Sequence, residues 1–456
     1  MTAQLRSRQI SPVELVEAHL RQIEKHNPQL NAFVRVLGDE AMDAAKRAQD
    51  VPLNGNNRPL YGIPVTIKDS FDMEGLPTTC GSRFFAQLRA AEDSTSVARL
   101  KAAGAIPVGK TNCPEFLANY ETDNYVIGRT NNPWDLTRTP GGSSGGESAA
   151  ISSFCSAGGI GSDGGGSIRV PAHFCGIAGL KPTPGRVSAA GHLPEINHPG
   201  GLLGVAGPMA RTAEDVRILF EVLAGYDMQD PFSSPVPLRK PDLTGIHIGY
   251  MPRFYKVPVQ PAISKALETA AACLRDLGFP VEPFEPKGLE RTPNLWWFFF
   301  GALPARITQQ LIAGREDQAH WTGTEFLTQA IQEPEPTSKK VLENLAIRDK
   351  LRGALLREMR DTPVILLPVC GTAAFHHRQR RYATAEKDIG LFEAMMPSTL
   401  FNLLGMPGMT IPFGQDENGL PVGIQLAGRP YDEELLLELA VRMEEARGPF
   451  PAPAGF

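Results

Sequence analysis

"TPGGSSGGESAAISSFCSAGGIGSDGGGSIRVP" (139–171) holds ten glycines and eight serines in thirty-three positions. Such a composition makes either a flexible tether between domains or a rigid site in which the main chain approaches a ligand closely. The stretch "AAISSFCSAGGIGSD" (149–163) carries small apolar residues that suit a tightly packed, buried segment. Tandem glycines followed by serine, as in Gly164-Gly165-Gly166-Ser167, can aim successive N–H groups at one oxygen. Serines supply a nucleophile, and what they lack is a base, since a free hydroxyl barely ionises at neutral pH.

Around this stretch, short apolar runs alternate with helical patterns. "GIPVTIKD" (62–69), "AIPVGK" (105–110), "GIAGL" (176–180), "IHIGYM" (246–251), "VILLPV" (364–369), "MTIPFG" (409–414) and "VGIQLAG" (422–428) read as strands. Residues 94–103, 212–224 and 261–277 read as helices. A further helix opens at Ser11, with Pro12 in its first turn and Glu14 closing a capping box. Alternation of this kind predicts an α/β fold on a mostly parallel or mixed sheet, and no internal repeat divides the chain. Residues 285–345 lack strand patterning and carry "NLWWFFFG" and "HWTGTEFL", which predicts a mostly helical insertion beside the sheet.

The 456 residues are 42% hydrophobic and 21% charged, an ordinary globular balance with ample material for a core. A net charge of −5 without a basic block removes the electrostatic footprint of a nucleic-acid binder. The densest basic cluster, Arg378, Arg380 and Arg381, reads as a solvated loop, with an anion site as the alternative. The longest apolar run, Leu295 to Leu303, is far short of the ~20 residues a membrane helix needs. Six dispersed cysteines without a CxxC pair give neither metal nor redox spacing. These features, with no apolar leader in "MTAQLRSRQ", point to a cytoplasmic protein.

Three short motifs mislead. "GAIPVGKT" (104–111) matches a phosphate loop, yet a helix precedes it, its centre reads as strand, and Pro107 removes a donor. Gly159, Gly161 and Gly164 match GxGxxG, but Pro171 interrupts the required helix and no acid follows between 170 and 194. "GSSGG" (142–146) would make Ser144 an elbow nucleophile. His173, His192 and His198 lie downstream, none with a supporting acid at a telling spacing. Lys68, at the end of an apolar strand, is the candidate base. An exposed lysine is neutral about once in 10³ molecules at pH 7, and burial can depress its pKa. Spacing alone leaves that reading level with a surface lysine.

The chain resembles the amidase signature family of serine hydrolases. The resemblance rests on "RTPGGSSGGESAA" and "GSDGGGSIRVPAHFCGIAGLKPTPGRVS", with "GIPVTIKDSFDMEGLPTTCGS" upstream and "PVGIQLAGRPYDEELLLELA" downstream, and covers nearly the whole chain. It implies one domain over 1–456, with a large mixed, mostly parallel sheet flanked by helices on both faces. It implies catalysis by Lys68, Ser143 and Ser167, with a cis peptide bond at Ser143 and Ser167 as nucleophile. The N–H groups of Gly164, Gly165, Gly166 and Ser167 form the implied oxyanion hole, and Ser144, Asp163 and Arg169 hold the loop. No metal or organic cofactor is implied.

The implied activity is hydrolysis of a linear amide, with carbamates (a urethanase activity) and esters within reach. A small-molecule substrate and a homodimer are the expected partners. The amidase component of a tRNA-dependent amidotransferase is the alternative. Many relatives carry a bulkier residue where this chain has Gly164, which predicts a wider wall facing the acyl group. The insertion 285–345 is expected to cover the site. Trp296 to Phe300 are candidates for its lining or for ordinary core, and loop 189–201 for a mobile rim or a static loop.

Overall fold

The computed structural model describes residues 1–50, 58–196 and 203–456. Thirteen strands are present among them: β1 (Phe33–Val36), β2 (Pro64–Lys68), β3 (Ile106–Thr111), β4 (Gly158–Asp163), β5 (Ala178–Lys181), β6 (Val205–Ala210), β7 (Ile248–Tyr250), β8 (Val281–Pro283), β9 (Val364–Pro368), β10 (Arg381–Ala383), β11 (Asp388–Gly390), β12 (Gly408–Gln415) and β13 (Pro421–Gly428). Eleven form one sheet in the order β1-β3-β2-β4-β6-β5-β12-β13-β9-β7-β8, and β10 pairs with β11 apart from it.

The sheet is mixed, and the expectation of mostly parallel pairing is corrected. Parallel pairs are confined to β3-β2-β4 and to β9-β7-β8. The six others are antiparallel. One of these pairs follows from chain length: residues 416–420 are long enough only to reverse the chain, so β12 and β13 form an antiparallel hairpin.

Helices cover both faces. Along β13, Gly423 lies under His173 of the helix Arg169–Cys175, whereas Gly428, of opposite parity, lies under Leu436 of the helix Glu433–Arg447. Strand β9 shows the same alternation: Val364 and Leu366 join the main core, while Ile365 and Leu367 join a second cluster with Trp296 and Phe299. The segment 285–345 carries the helices Thr292–Trp297, Leu303–Ile312, Trp321–Ala330 and the start of Ser338–Glu358, and Leu289, Leu295, Trp296 and Phe299 pack on that second face.

Local rules hold where the sequence announced them. Ser11 Oγ accepts from the Glu14 N–H, and the Glu14 carboxylate accepts from the Ser11 N–H, before a helix over Pro12–Leu30. No helix of the described residues is long and apolar enough to cross a membrane.

Candidate active site

The glycine-serine stretch is no tether. All of the helix Gly145–Ser152 and all of β4 are buried. The glycines are where they are because neighbours leave no room for a side chain. A Cβ on Gly142 would sit 2.5 Å from the Asn119 carbonyl oxygen, and one on Gly146 would meet the backbone of Asn112.

Strands β2 and β4 run side by side and parallel, so their C-terminal ends share one edge. Lys68 closes β2 and Asp163 closes β4. The turn 141–144 leads into the helix Gly145–Ser152 and contains a cis peptide bond between Gly142 and Ser143. This brings together side chains 75 to 94 positions apart. Lys68 Nζ lies 2.7 Å from Ser143 Oγ, 2.9 Å from Ser144 Oγ and 3.1 Å from Ser162 Oγ. Lys68 is fully buried, and this desolvation lowers its pKa from 10.5 to about 8 against the pull of nearby acidic groups.

The second strand end carries the loop 164–168. Ser167 retains 7% of its surface, against 1% for Ser143 and none for Lys68, so it is the most accessible of the three. The loop is held from below. Burial favours the neutral form of Asp163, but the Arg169 guanidinium beside it outweighs this and holds the carboxyl well below the usual range. Arg169 reaches Asp163 at 2.9 and 3.0 Å, and extends to the Ser398 carbonyl, Gln425 and Asn402. The Asp163 carboxylate also accepts from the N–H groups of Gly166 (2.7 Å) and Ile168 (3.0 Å).

That contact corrects the expected set of oxyanion donors, because the Gly166 N–H is already committed to Asp163. The N–H groups of Gly164, Gly165 and Ser167 find no protein acceptor among the described residues. What remains is a buried lysine joined to a hydroxyl, a more accessible serine, and three unengaged N–H groups on the same loop.

The model of the family described as Amidase matches residues 14–437. The chain belongs to the amidase signature family. Among curated relatives of this chain, the A component of the glutamyl-tRNA(Gln) amidotransferase of Chloroflexus aurantiacus is 35% identical over 96% of this chain and 93% of its own length. Among solved structures, a bacterial aryl acylamidase of the amidase signature family superposes with a TM-score of 0.89 at 26% identity, covering 100% of this chain and 97% of that one. The corresponding component of the Thermotoga maritima glutamyl-tRNA(Gln) amidotransferase superposes with a TM-score of 0.77 at 26% identity, covering 97% and 94%.

Other expectations fall differently. Gly164 does not widen a wall, because Phe300 fills the space. A Cβ on Gly164 would sit 3.0 Å from Phe300 Cε2. Trp296 and Phe299 are buried, Trp297, Phe298 and Phe300 are half-buried, and Trp296 stacks on Phe300 at 4.6 Å. In the loop 189–201, the Leu193 N–H donates to the Ser70 carbonyl at 2.7 Å and the Gly191 carbonyl accepts from Asp72. Its end, with His198, lies outside the described residues. Of the arginine cluster, Arg378 and Arg381 are exposed as a solvated reading implies, whereas Arg380 bridges Glu121 and Glu325 at 2.6 Å each and Arg378 also lies over the Trp321 ring.

The misleading motifs resolve as expected. Lys110 of "GAIPVGKT" is buried in β3 and pairs with Asp69 at 2.8 Å. Ser144 has no histidine partner among the described residues. His173 is tied through both ring nitrogens to backbone groups of Thr372 and Gly423, and His192 contacts the Pro194 carbonyl. Sequence reasoning missed Ser162, although a hydroxyl one position before Asp163 in the strand beside Lys68 was a usable signal. It also missed Glu147, which takes hydroxyl bonds from Thr66 (2.5 Å) and Thr111 (2.6 Å) and is raised by burial to about 7.

Proposed function

We propose that this protein cleaves carbon–nitrogen amide bonds through an acyl-enzyme on Ser167, with Lys68 and Ser143 as proton relay. The observation that carries the reading is the buried Lys68 amine, lowered to about 8 and 2.7 Å from Ser143 Oγ. Ser144 lies almost as near, at 2.9 Å, but serves differently. Its hydroxyl donates to the Ser162 carbonyl at 3.3 Å, so its oxygen acts toward Lys68 and the Ser162 N–H as an acceptor. Ser143 therefore passes the proton, while Ser144 and Ser162 hold the amine.

In this scheme neutral Lys68 takes the Ser143 proton as Ser143 takes that of Ser167. Ser167 Oγ bonds to the carbonyl carbon, and the N–H groups of Gly164, Gly165 and Ser167 receive the oxyanion. The tetrahedral adduct collapses as Ser143 protonates the leaving nitrogen, and water, deprotonated by the same relay, releases the acid. Esters and carbamates share the carbonyl geometry and fall within the scheme. The helical insertion covers the loop, in keeping with the Trp296 contact. The protein acts in the cytoplasm.

Two observations bear on the amide itself. The identity to this amidotransferase component over nearly the whole chain favours glutamine as the amide cleaved, with a second protein of the complex receiving the ammonia. The closer backbone agreement with an aryl acylamidase favours hydrolysis by the free-standing chain, alone or as a homodimer. Assays of the purified chain on glutamine, primary amides, anilides, esters and carbamates, repeated after co-purification of any bound partner, separate the two. Glutaminase activity only with a second protein selects the first, and anilide turnover by the chain alone selects the second. A Ser167→Ala variant that retains turnover overturns both.

A further inference from the structure

Two aromatic side chains donate to successive carbonyls of the loop before Ser167. The Trp296 indole N–H donates to the Gly164 carbonyl at 2.9 Å, and the Tyr120 hydroxyl donates to the Gly165 carbonyl at 2.8 Å. In a planar trans peptide unit the C=O and N–H point in opposite directions. Fixing one group therefore fixes the other. The Gly165 carbonyl shares its unit with the Gly166 N–H, which ends on Asp163 at 2.7 Å, so that unit is held at both ends. The Gly164 carbonyl shares its unit with the Gly165 N–H, which has no protein acceptor among the described residues. Trp296 is the one side chain among the described residues that grips this unit.

The ring is firmly set. It is buried, it stacks on Phe300 at an interplanar angle of 15°, and its Cζ2 lies 2.5 Å from where a Gly165 Cβ would stand. Two consecutive glycines would otherwise leave the unit free to rotate. Donation to a carbonyl also polarises the amide and strengthens its N–H as a donor.

We infer that Trp296, contributed by the helical insertion, is a positioning residue for catalysis: its indole N–H holds the Gly165 N–H in the orientation that receives the oxyanion. The inference rests on the acyl-enzyme reading above. It gives the insertion a chemical role, since the segment that covers the loop also aligns one of its donors. Removing an oxyanion donor outright costs ~10²–10³ in rate, so freeing this one to rotate is expected to cost about tenfold.

The test compares wild type, Trp296→Phe and Ser167→Ala by the second-order rate of fluorophosphonate labelling, which builds an oxyanion at the same place. Turnover of the best substrate is followed in parallel. The expected result is labelling of the wild type, none of S167A, and labelling of W296F about tenfold slower, with kcat reduced alike and KM within about twofold. Equal labelling rates for wild type and W296F overturn this inference alone. Absence of wild-type labelling, or labelling that survives in S167A, overturns the acyl-enzyme reading and this inference with it. Should W296F lack a cooperative unfolding transition, 3-benzothienylalanine at position 296, which keeps the ring shape and replaces N–H by sulfur, is read by the same criteria.

Discussion

Replacing Lys68 with methionine separates two consequences of one buried amine. With its pKa lowered from 10.5 to about 8, Lys68 is neutral in about a tenth of molecules at pH 7 and about nine-tenths at pH 9. The relay uses the neutral form, so wild-type kcat/KM is expected to rise about tenfold over that interval and then level off. A lysine left near 10.5 would give a rise of about a hundredfold, without a plateau. Lys68→Met removes the base, and kcat/KM should fall by ~10²–10⁴ with the pH rise abolished. Stability moves in a different way. A lysine whose folded pKa is depressed binds fewer protons folded than unfolded between about 8 and 10.5, so the native state gains stability as pH rises through that window. Relative to K68M, wild type should therefore gain about 2 kcal/mol between pH 7 and 10, read from urea midpoints of the two proteins. A flat wild-type rate profile from pH 7 to 9, or K68M activity within tenfold of wild type, refutes the assignment of Lys68 as base.

The two adjacent serines should part company. Ser143→Ala is expected to lower kcat by ~10²–10⁴, because it cuts the relay, while Ser144→Ala should cost tenfold or less; steady-state kinetics of both variants check this, and equal losses contradict it. Asp163→Asn leaves the Arg169 guanidinium buried without its counter-charge and should destabilise the fold by about 3–5 kcal/mol, measured by chemical denaturation. Because the Asp163 carboxyl is held low, its contribution to stability is present above the ordinary carboxylate range and lost as pH falls below it, a dependence that D163N should lack.

Much of this architecture was legible in the sequence because local rules governed it. The Ser11 cap, the strand ending at Lys68 and the hairpin strands of 409–414 and 422–428 follow from spacing and composition alone. Strand β4 was not legible as a strand. "GGIGSD" lacks the β-branched and aromatic residues that mark strands, because Glu147 and Thr66 crowd against Gly159 and exclude a side chain. The Gly164 expectation failed for a related reason. A glycine reports that space is needed, but not who takes it, and here the occupant, Phe300, lies 136 positions away in the chain. Likewise the glycine-serine motif pointed to the N–H groups around Ser167 as candidate donors, whereas the engagement of the Gly166 N–H by Asp163 depends on how a loop closes after β4. The pairing of Arg380 was not legible because its carboxylate partners, Glu121 and Glu325, are remote in the chain.

The order of strands gives Arg169 a wider reach than its place beside Asp163 suggests. Residues 33–210 build one flank of the sheet and residues 248–428 the other, meeting where β5 joins β12. Lys68, Ser143 and Ser167 all belong to the first flank, yet the guanidinium beneath Ser167 is anchored on Ser398, Asn402 and Gln425 of the second. A mutation far along the chain, touching neither substrate nor any reacting atom, can thus tilt the platform on which the chemistry stands, and a survey of inactivating variants should find a share of them on the wrong side of that join.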